Sequence, residues 1–413
     1  MCMDVGPLLL FVVVATALVF AFSNGFHDTA NAMATSIVTG ALRPHMAVAL
    51  AAVLNFVGAF LSLKVAATIA ERIVSGDAIT LMVVFAGLLG GLVWNLVTWY
   101  FGLPSSSTHA LIGGVVGATL VSAGTSAVHG QKIVSDILIP AVLSPLAAVL
   151  VAASGTYLVY RITRNVSGRL RERGFRIGQI GSASLVSLAH GNNDAQNTMG
   201  VITLALIASG AIGDGATVPT WVIVSSATAM ALGTYVGGWR IIRTVGKGLM
   251  DIASPQGFAA ETSSAAMILA ASSFGFPLST THVCCGSILG SGLGRRRIRW
   301  GLVSRMGAVW LITLPASALV GAAAWKGAQA IGGFPGVAVM FVVALAFALE
   351  IYVAADMRPV NASNVNAEWK EDGSPPTCVP EPYLPEPAPL DGTAQAGEPD
   401  SREGPAPRRE PMS

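Results

Sequence analysis

A carboxylate inside a long apolar run limits what a chain can become more than any other feature, and here it occurs twice in the same setting. Gly25 to Asn31 reads G-F-H-D-T-A-N and Gly191 to Asn197 reads G-N-N-D-A-Q-N, each inside sequence with almost no other charge. Asp28 and Asp194 are functional-site candidates on that ground alone, because an ionisable group at membrane depth is costly to keep. Downstream, Pro104 to His109 (P-S-S-S-T-H) is answered by Pro277 to His282 (P-L-S-T-T-H). Each histidine is then followed at four and eight residues by glycine, Gly113 and Gly117 in one half, Gly286 and Gly290 in the other. One constellation placed twice, about 166 residues apart, predicts two repeats that share a central site.

The surroundings of these strings fix the solvent. The 413 residues are 53% hydrophobic and 11% charged, with a mean hydropathy of +0.64, against roughly 25% charged residues in a soluble domain. A multi-pass protein of the cytoplasmic membrane is expected. The formal charge of +2 hides a local asymmetry, with basic residues clustered in a few hydrophilic breaks, and implies no nucleic-acid partner. Cys2, Cys284, Cys285 and Cys378 have neither disulfide-framework nor metal-ligand spacing, so no cofactor or resident metal is expected. Leu8 to Phe22 lacks a basic leader and runs into the Gly25 string, which favours a membrane helix over a cleaved signal.

Apolar segments from residue 8 to residue 354 predict an all-α fold of ten to twelve membrane helices or half-helices. Residues 1–160 form the first repeat and residues 161–176 a basic cytoplasmic loop. Residues 177–354 form the second repeat with the final helices, and residues 355–413 a Pro-rich, disordered cytoplasmic tail. The two motif-bearing segments exceed a simple span and carry Gly, Asn and Asp at their middles, which predicts helices broken at Asp28 and Asp194. Arginine clusters at 161–176, 240–243 and 295–299 mark the cytoplasmic side and also suit lipid headgroups. Arg43 falls on the same side. Glu71, Asp77, Lys132 and Asp214 then fall outside. With these ends fixed, the 257–294 hairpin and the 79–123 hairpin point in opposite directions, as in an inverted repeat.

These strings resemble the signature of the inorganic phosphate transporter (PiT) family, a G-x-N-D-x-A-N-type motif occurring once in each inverted half. The chain is most similar to the bacterial low-affinity branch, and the likeness covers residues 8–354. It departs at His27, where the family consensus has Asn, and at Asn55, where animal relatives carry a glutamate. The resemblance implies a secondary transporter that imports inorganic phosphate, free or as a complex with a divalent ion, and no enzymatic activity. It leaves room for a homo-oligomer.

Two aspartates beside an anion repel it unless a cation or proton lies between. Asp28 and Asp194 are therefore expected to serve the coupling ion, with Asn31, Asn193 and Asn197 as neutral oxygen ligands. The hydroxyls of Ser106, Ser107, Thr108, Ser279, Thr280 and Thr281 are expected to replace water around phosphate, aided by the half-helices that begin after them. No nucleotide-binding loop is present, so an ion gradient drives transport. Four of the six histidines, His27, His109, His190 and His282, lie in or beside the motifs, which weighs toward protons over sodium, with His27 as the carrier. His109, His282 and Gln196 are further candidates.

Other assignments compete at each point. The aspartates could cap half-helices, and the hydroxyls could bond back to their own helices. The spaced glycines are best explained by helix packing, while Trp94, Trp99 and Tyr100 suit helix anchoring and His45 and His129 suit loops. An intramembrane hydrolase could use two aspartates or a Ser/His pair, but it has no use for duplicated, oppositely oriented hydroxyl strings, and no G-x-S-x-G elbow is present. An anion channel would share the selectivity groups without the ion coupling.

Overall fold

The computed structural model describes residues 6–66, 78–213 and 215–367, and all regular structure among them is helical. In chain order the helices are α1 (Gly6–Val38), α2 (Pro44–Gly58), α3 (Leu81–Tyr100) and α4 (Ser107–Ala123). They continue with α5 (Gly130–Ile162, with a π-helical turn at Val134–Leu138), α6 (Gly168–Ala208), α7 (Thr220–Val236) and α8 (Trp239–Arg243, prolonged by a π-turn to Gly248). The last four are α9 (Ser254–Ser273), α10 (Thr280–Gly292), α11 (Trp300–Ile331) and α12 (Gly333–Asp356). Among the described residues α1, α3, α5, α11 and α12 are long and apolar enough to cross a bilayer, and the bent pair α7–α8 meets the same test only when its two helices are taken together. Large apolar side chains face outward, including Leu150 on α5 and Leu311 and Leu319 on α11.

The two hydroxyl strings act first as local folding signals. Proline stops the preceding segment, and Ser106 and Ser279 then cap the new helices by accepting the backbone N–H of His109 at 3.2 Å and His282 at 3.3 Å. The results are two helical hairpins, α3–α4 and α9–α10, as expected from the charge pattern.

Two buried apolar clusters organise the interior, and α1 and α6 thread them in opposite order. Val13, Ala17 and Phe20 of α1 lie in the cluster with α3, α7, α11 and α12, and Met33 and Ile37 lie in the cluster with α2, α9 and α10. On α6 the sequence is reversed: Ala183 and Val186 sit in the second cluster, Met199 and Ile202 in the first. Gly25–Asn31 and Gly191–Asn197 therefore meet at the seam between the two clusters, antiparallel to one another.

The motif-bearing helices are not broken. α1 and α6 run helical through Asp28 and Asp194, contrary to expectation, because an intact helix satisfies its own backbone groups and leaves the side chains to make the site. Their glycines serve close approach instead. A Cβ on Gly25 would collide with the Met230 carbonyl of α7, and one on Gly191 with the Asn55 carbonyl of α2. The bend falls elsewhere, at Gly237 (φ 79°) and Gly238, where α7 and α8 meet at 58°. The glycines after each histidine also pack: Gly113 and Gly117 lie on Leu314 and Ala318 of α11, Gly286 and Gly290 on Pro145 and Val149 of α5.

The C-terminal boundary lies later than the sequence suggests. α12 continues to Asp356, and Arg240 donates to the carbonyls of Ala355 at 2.7 Å and Arg358 at 2.8 Å. Val365 is fully buried in the second apolar cluster, because one apolar side chain with a pocket to enter suffices to hold a polar stretch. The rest of the expected tail, from residue 368, and the loop acids Glu71, Asp77 and Asp214 lie outside the described residues.

Gly191→Ala should lower the stability of the purified protein by about 1–3 kcal/mol, the usual cost of overpacking a tight contact. Gly181→Ala on the same helix, where the added methyl meets nothing within 4 Å, should hold or slightly raise the melting temperature, since alanine is the better helix former by about 0.5–1 kcal/mol. Equal melting of the two variants would show that the α2–α6 contact relaxes freely.

Candidate functional site

The two aspartates, separated by about 166 residues in sequence, come together at the seam. One ligand atom from each of Asp28, His190 and Asp194 lies within 4.8 Å of the other two, and all three residues are buried. At that separation two bare carboxylates repel by a few kcal/mol even at an effective dielectric of about 20, so the site calls for positive charge.

Each aspartate is held by the hairpin of its own repeat. Ser107 donates to Asp28 Oδ2 at 2.9 Å, and Thr280 donates to Asp194 Oδ2 at 2.8 Å. The asparagine three residues later reaches instead to the hairpin of the other repeat: Asn31 Nδ2 donates to Thr281 at 3.0 Å, and Asn197 Nδ2 to Thr108 at 2.8 Å. Thr281 also donates to Asp28 Oδ1 at 3.2 Å. The carbonyl oxygens of Asn31 and Asn197 have no hydrogen-bond partner although buried, so two neutral oxygens are left without partners beside the two acids.

Histidines complete the set from non-equivalent positions. His27 precedes Asp28 and places Nδ1 2.8 Å from its Oδ1; Asn193, at the equivalent place in the second repeat, donates to Asp194 Oδ1 at 2.7 Å. His190, at the place that Asn24 occupies in the first repeat, puts Nε2 2.9 Å from Asp194 Oδ2 with the ring turned off the hydrogen-bond axis. Its other nitrogen, Nδ1, lies 3.2 Å from Asn55 Oδ1, and Asn55 Nδ2 donates to Thr234 Oγ1 at 2.9 Å. Thr234 in turn donates to the Met230 carbonyl at 3.0 Å. The far nitrogen of His27 meets Thr98 at 3.0 Å and Ser105 at 3.3 Å.

Other sequence candidates lie at varying removes. Ser106 and Ser279 cap helices. Asn193 also donates to the Leu278 carbonyl and accepts from Ser272, tying α6 to the α9–α10 tip. Gln196 accepts the backbone N–H groups of Val65 and Ala66 and donates to the Asn192 carbonyl, so it holds the chain after α2 rather than facing the acids. His109 and His282 meet each other edge to face, centroids 5.1 Å apart, and His282 also lies against Trp310. Together they join α4, α10 and α11. The Asn55–Thr234 link is invisible in the sequence, since nothing there pairs α2 with α7.

A third buried acid has no counterpart in the first repeat, so the duplicated motifs do not point to it. Glu261 of α9 accepts from Thr35 and Ser36 of α1, each at 2.6 Å, from Gln179 of α6 at 3.2 Å, and from Ser182 of α6. It binds both motif helices to the hairpin about two turns along α1 from Asp28. Its signal in the sequence is the lone carboxylate in the 254–273 segment.

Known proteins match both the sequence and the fold. Residues 24–321 match the profile described as the Phosphate transporter family. A Mycobacterium bovis protein named "Probable low-affinity inorganic phosphate transporter" is 55% identical, over 93% of this chain and 95% of its own length. A Bacillus subtilis protein of the same name is 45% identical over 78% of this chain and 98% of its own. A solved structure titled "The sodium-dependent phosphate transporter" shares the fold with a TM-score of 0.69 at 22% identity, covering 77% of this chain and 98% of that one. The sequence signature, the paired hairpins and these matches agree, and the chain belongs to the phosphate transporter family.

Proposed function

We propose that this membrane protein imports inorganic phosphate in symport with protons, with the phosphate held between the tips of α4 and α10 and a proton held between His190 and Asp194. Family membership and the named relatives support phosphate as the substrate. The donors suit it. Ser107, Thr108, Thr280 and Thr281 lie in the first turns of two helices whose free N–H groups and positive dipole ends favour an anion; the single protons of Ser107, Thr280 and Thr281 go to the two acids in the structure, so phosphate takes them over once the acids are neutralised by the coupling ion.

The observation that carries the proton is the hydrogen-bond chain from Thr234 to His190. Thr234 gives its own proton to the Met230 carbonyl, so it accepts from the Asn55 amide, which turns Asn55 Oδ1 toward His190 Nδ1. The Nδ1 position then carries a proton. Nε2 stands 2.9 Å from a carboxylate oxygen, a separation at which bare lone pairs would repel, so a second proton belongs on His190 or Asp194. His27 has no such need: its Nδ1–H faces Asp28, and its Nε2 can accept from Ser105. His190 is favoured over His27 as the carrier. Sodium is the competing ion, favoured by the close pair of acids and the unpartnered oxygens of Asn31 and Asn197.

Uptake into proteoliposomes should follow an inward proton gradient in the absence of sodium. Strict sodium dependence would replace the proton with a sodium ion among Asp28, Asp194 and the two asparagine oxygens. Asp28→Asn and Asp194→Asn should each abolish accumulation with membrane expression intact, and wild-type uptake by both would remove the acids from the mechanism. His190→Gln should lose proton-driven accumulation yet keep exchange of labelled phosphate, whereas His27→Asn should keep both.

The hydroxyls make a separate, quantitative expectation. Ser107→Ala or Thr280→Ala should raise the phosphate KM roughly tenfold or more, because a hydrogen bond to a charged group contributes about 1.5–3 kcal/mol. An unchanged KM in both variants would move phosphate away from the hairpin tips.

A further inference from the structure

Two amide oxygens at the hairpin tips have nothing to accept, and proton-coupled transport as proposed above leaves them unused. Asn31 and Asn197 are 6% and 0% exposed, and neither Oδ1 has a hydrogen-bond partner. Their nitrogens do have partners. Asn31 Nδ2 donates to Thr281 at 3.0 Å and lies 3.4 Å from Thr280, and Asn197 Nδ2 donates to Thr108 at 2.8 Å. Both carbonyls therefore belong to side chains anchored on the hydroxyls assigned to phosphate.

The orientation of Asn31 follows from counting protons. A hydroxyl carries one, and that of Thr281 goes to Asp28 Oδ1 at 3.2 Å. Thr281 thus offers Asn31 a lone pair, so the amide must present its N–H there and keep its carbonyl oxygen for another group. Ser107 and Thr280 give their protons to the two acids as well, so none of these three hydroxyls supplies the carbonyls. An amide oxygen accepts and never donates, and one buried without a donor is costly. With the coupled proton held at His190 and Asp194, the missing donor has to arrive with the substrate.

We infer that Asn31 and Asn197 are specificity-determining residues that select oxyanions bearing a hydroxyl: phosphate donates its own P–OH to one of these carbonyls while its other oxygens accept from the tip hydroxyls. This rests on the phosphate position and proton coupling proposed above. Phosphate and arsenate keep at least one hydroxyl near neutral pH, whereas sulfate and selenate keep none. A sulfate oxygen at the same place would set lone pair against lone pair and leave the amide oxygen unpaired. A buried site built to pair a hydroxyl rejects an analogue without one far more strongly than a small difference in size does.

The test is inhibition of labelled-phosphate exchange in proteoliposomes, in sodium-free buffer at mildly alkaline pH, where phosphate, arsenate, sulfate, selenate and monofluorophosphate are all chiefly dianions. Arsenate should compete with phosphate, and selenate, sulfate and monofluorophosphate should compete roughly 100-fold more weakly or worse. Asn31→Ala or Asn197→Ala should narrow the preference for arsenate over selenate by about tenfold or more, a ratio within one preparation that loss of folded protein does not change. Selenate or monofluorophosphate competing as well as arsenate in the wild type overturns the inference, and that arm decides alone should both variants be inactive. A preference unchanged in both variants overturns it too. The two levels of failure separate: an unchanged phosphate KM in Ser107→Ala and Thr280→Ala removes phosphate from the tips and this inference with it, whereas a raised KM there with an unaltered anion preference in Asn31→Ala and Asn197→Ala refutes the inference alone.

Discussion

The crossed set of hydrogen bonds between the motif helices and the hairpin tips is the constraint on which the rest depends. Asp28 and Asp194 each bind a hydroxyl of their own repeat's hairpin, while Asn31 and Asn197 each bind a hydroxyl of the other's. A shift of either hairpin would leave buried polar groups unpaired on both motif helices at once, at roughly 1–3 kcal/mol each. A ligand that takes over those hydroxyls can therefore be felt by both halves of the molecule. In a bilayer there is little apolar driving force between helices, so such bonds and close contacts must define the arrangement.

Glycine supplies the close contacts, and their pattern is also crossed. α1 packs against α7 through Gly25, and α6 packs against α2 through Gly191, so each motif helix rests on the second helix of the opposite repeat. The Asn55–Thr234 hydrogen bond ties those two supporting helices to each other behind the site. His190 inherits its orientation from this link. A residue in the middle of the binding region is thus held in place by helices that contribute nothing else to it, which explains why the site can be rigid without a broken helix.

Much of this arrangement is legible in the amino-acid sequence itself. The duplicated strings announce the inverted repeat, the proline-to-serine spacing announces the two helix starts, and the regular glycines after His109 and His282 announce packing. The expectations that fail do so for identifiable reasons. Glycine beside aspartate reads equally well as a break or as a contact surface, and only the neighbouring Met230 and Asn55 carbonyls decide between them. Gln196 sits inside the motif yet turns to the backbone of residues 65 and 66, because one helix presents successive residues to different neighbours. Glu261 lacks a repeat partner, so symmetry cannot reveal it.

The departures from symmetry carry information that the symmetry itself hides. Both acids have a histidine neighbour, but His27 reaches Asp28 from the preceding residue, where the second repeat has Asn193, and His190 reaches Asp194 from a turn earlier, where the first repeat has Asn24. Inverted repeats that were chemically identical would give the two acids equal claims on any proton or cation. Here His27 is surrounded by hydroxyls that can donate or accept, and His190 faces an amide oxygen whose direction is fixed by Thr234. The two acids therefore sit in different hydrogen-bonding surroundings, the first beside rotatable hydroxyls and the second beside a histidine whose ring is oriented by an amide. Glu261 adds to the imbalance, binding α9 but no residue of the first hairpin to the motif helices. Two halves related by an approximate dyad thus give a site with unequal sides, which a carrier needs if filling from one face is to differ from emptying to the other.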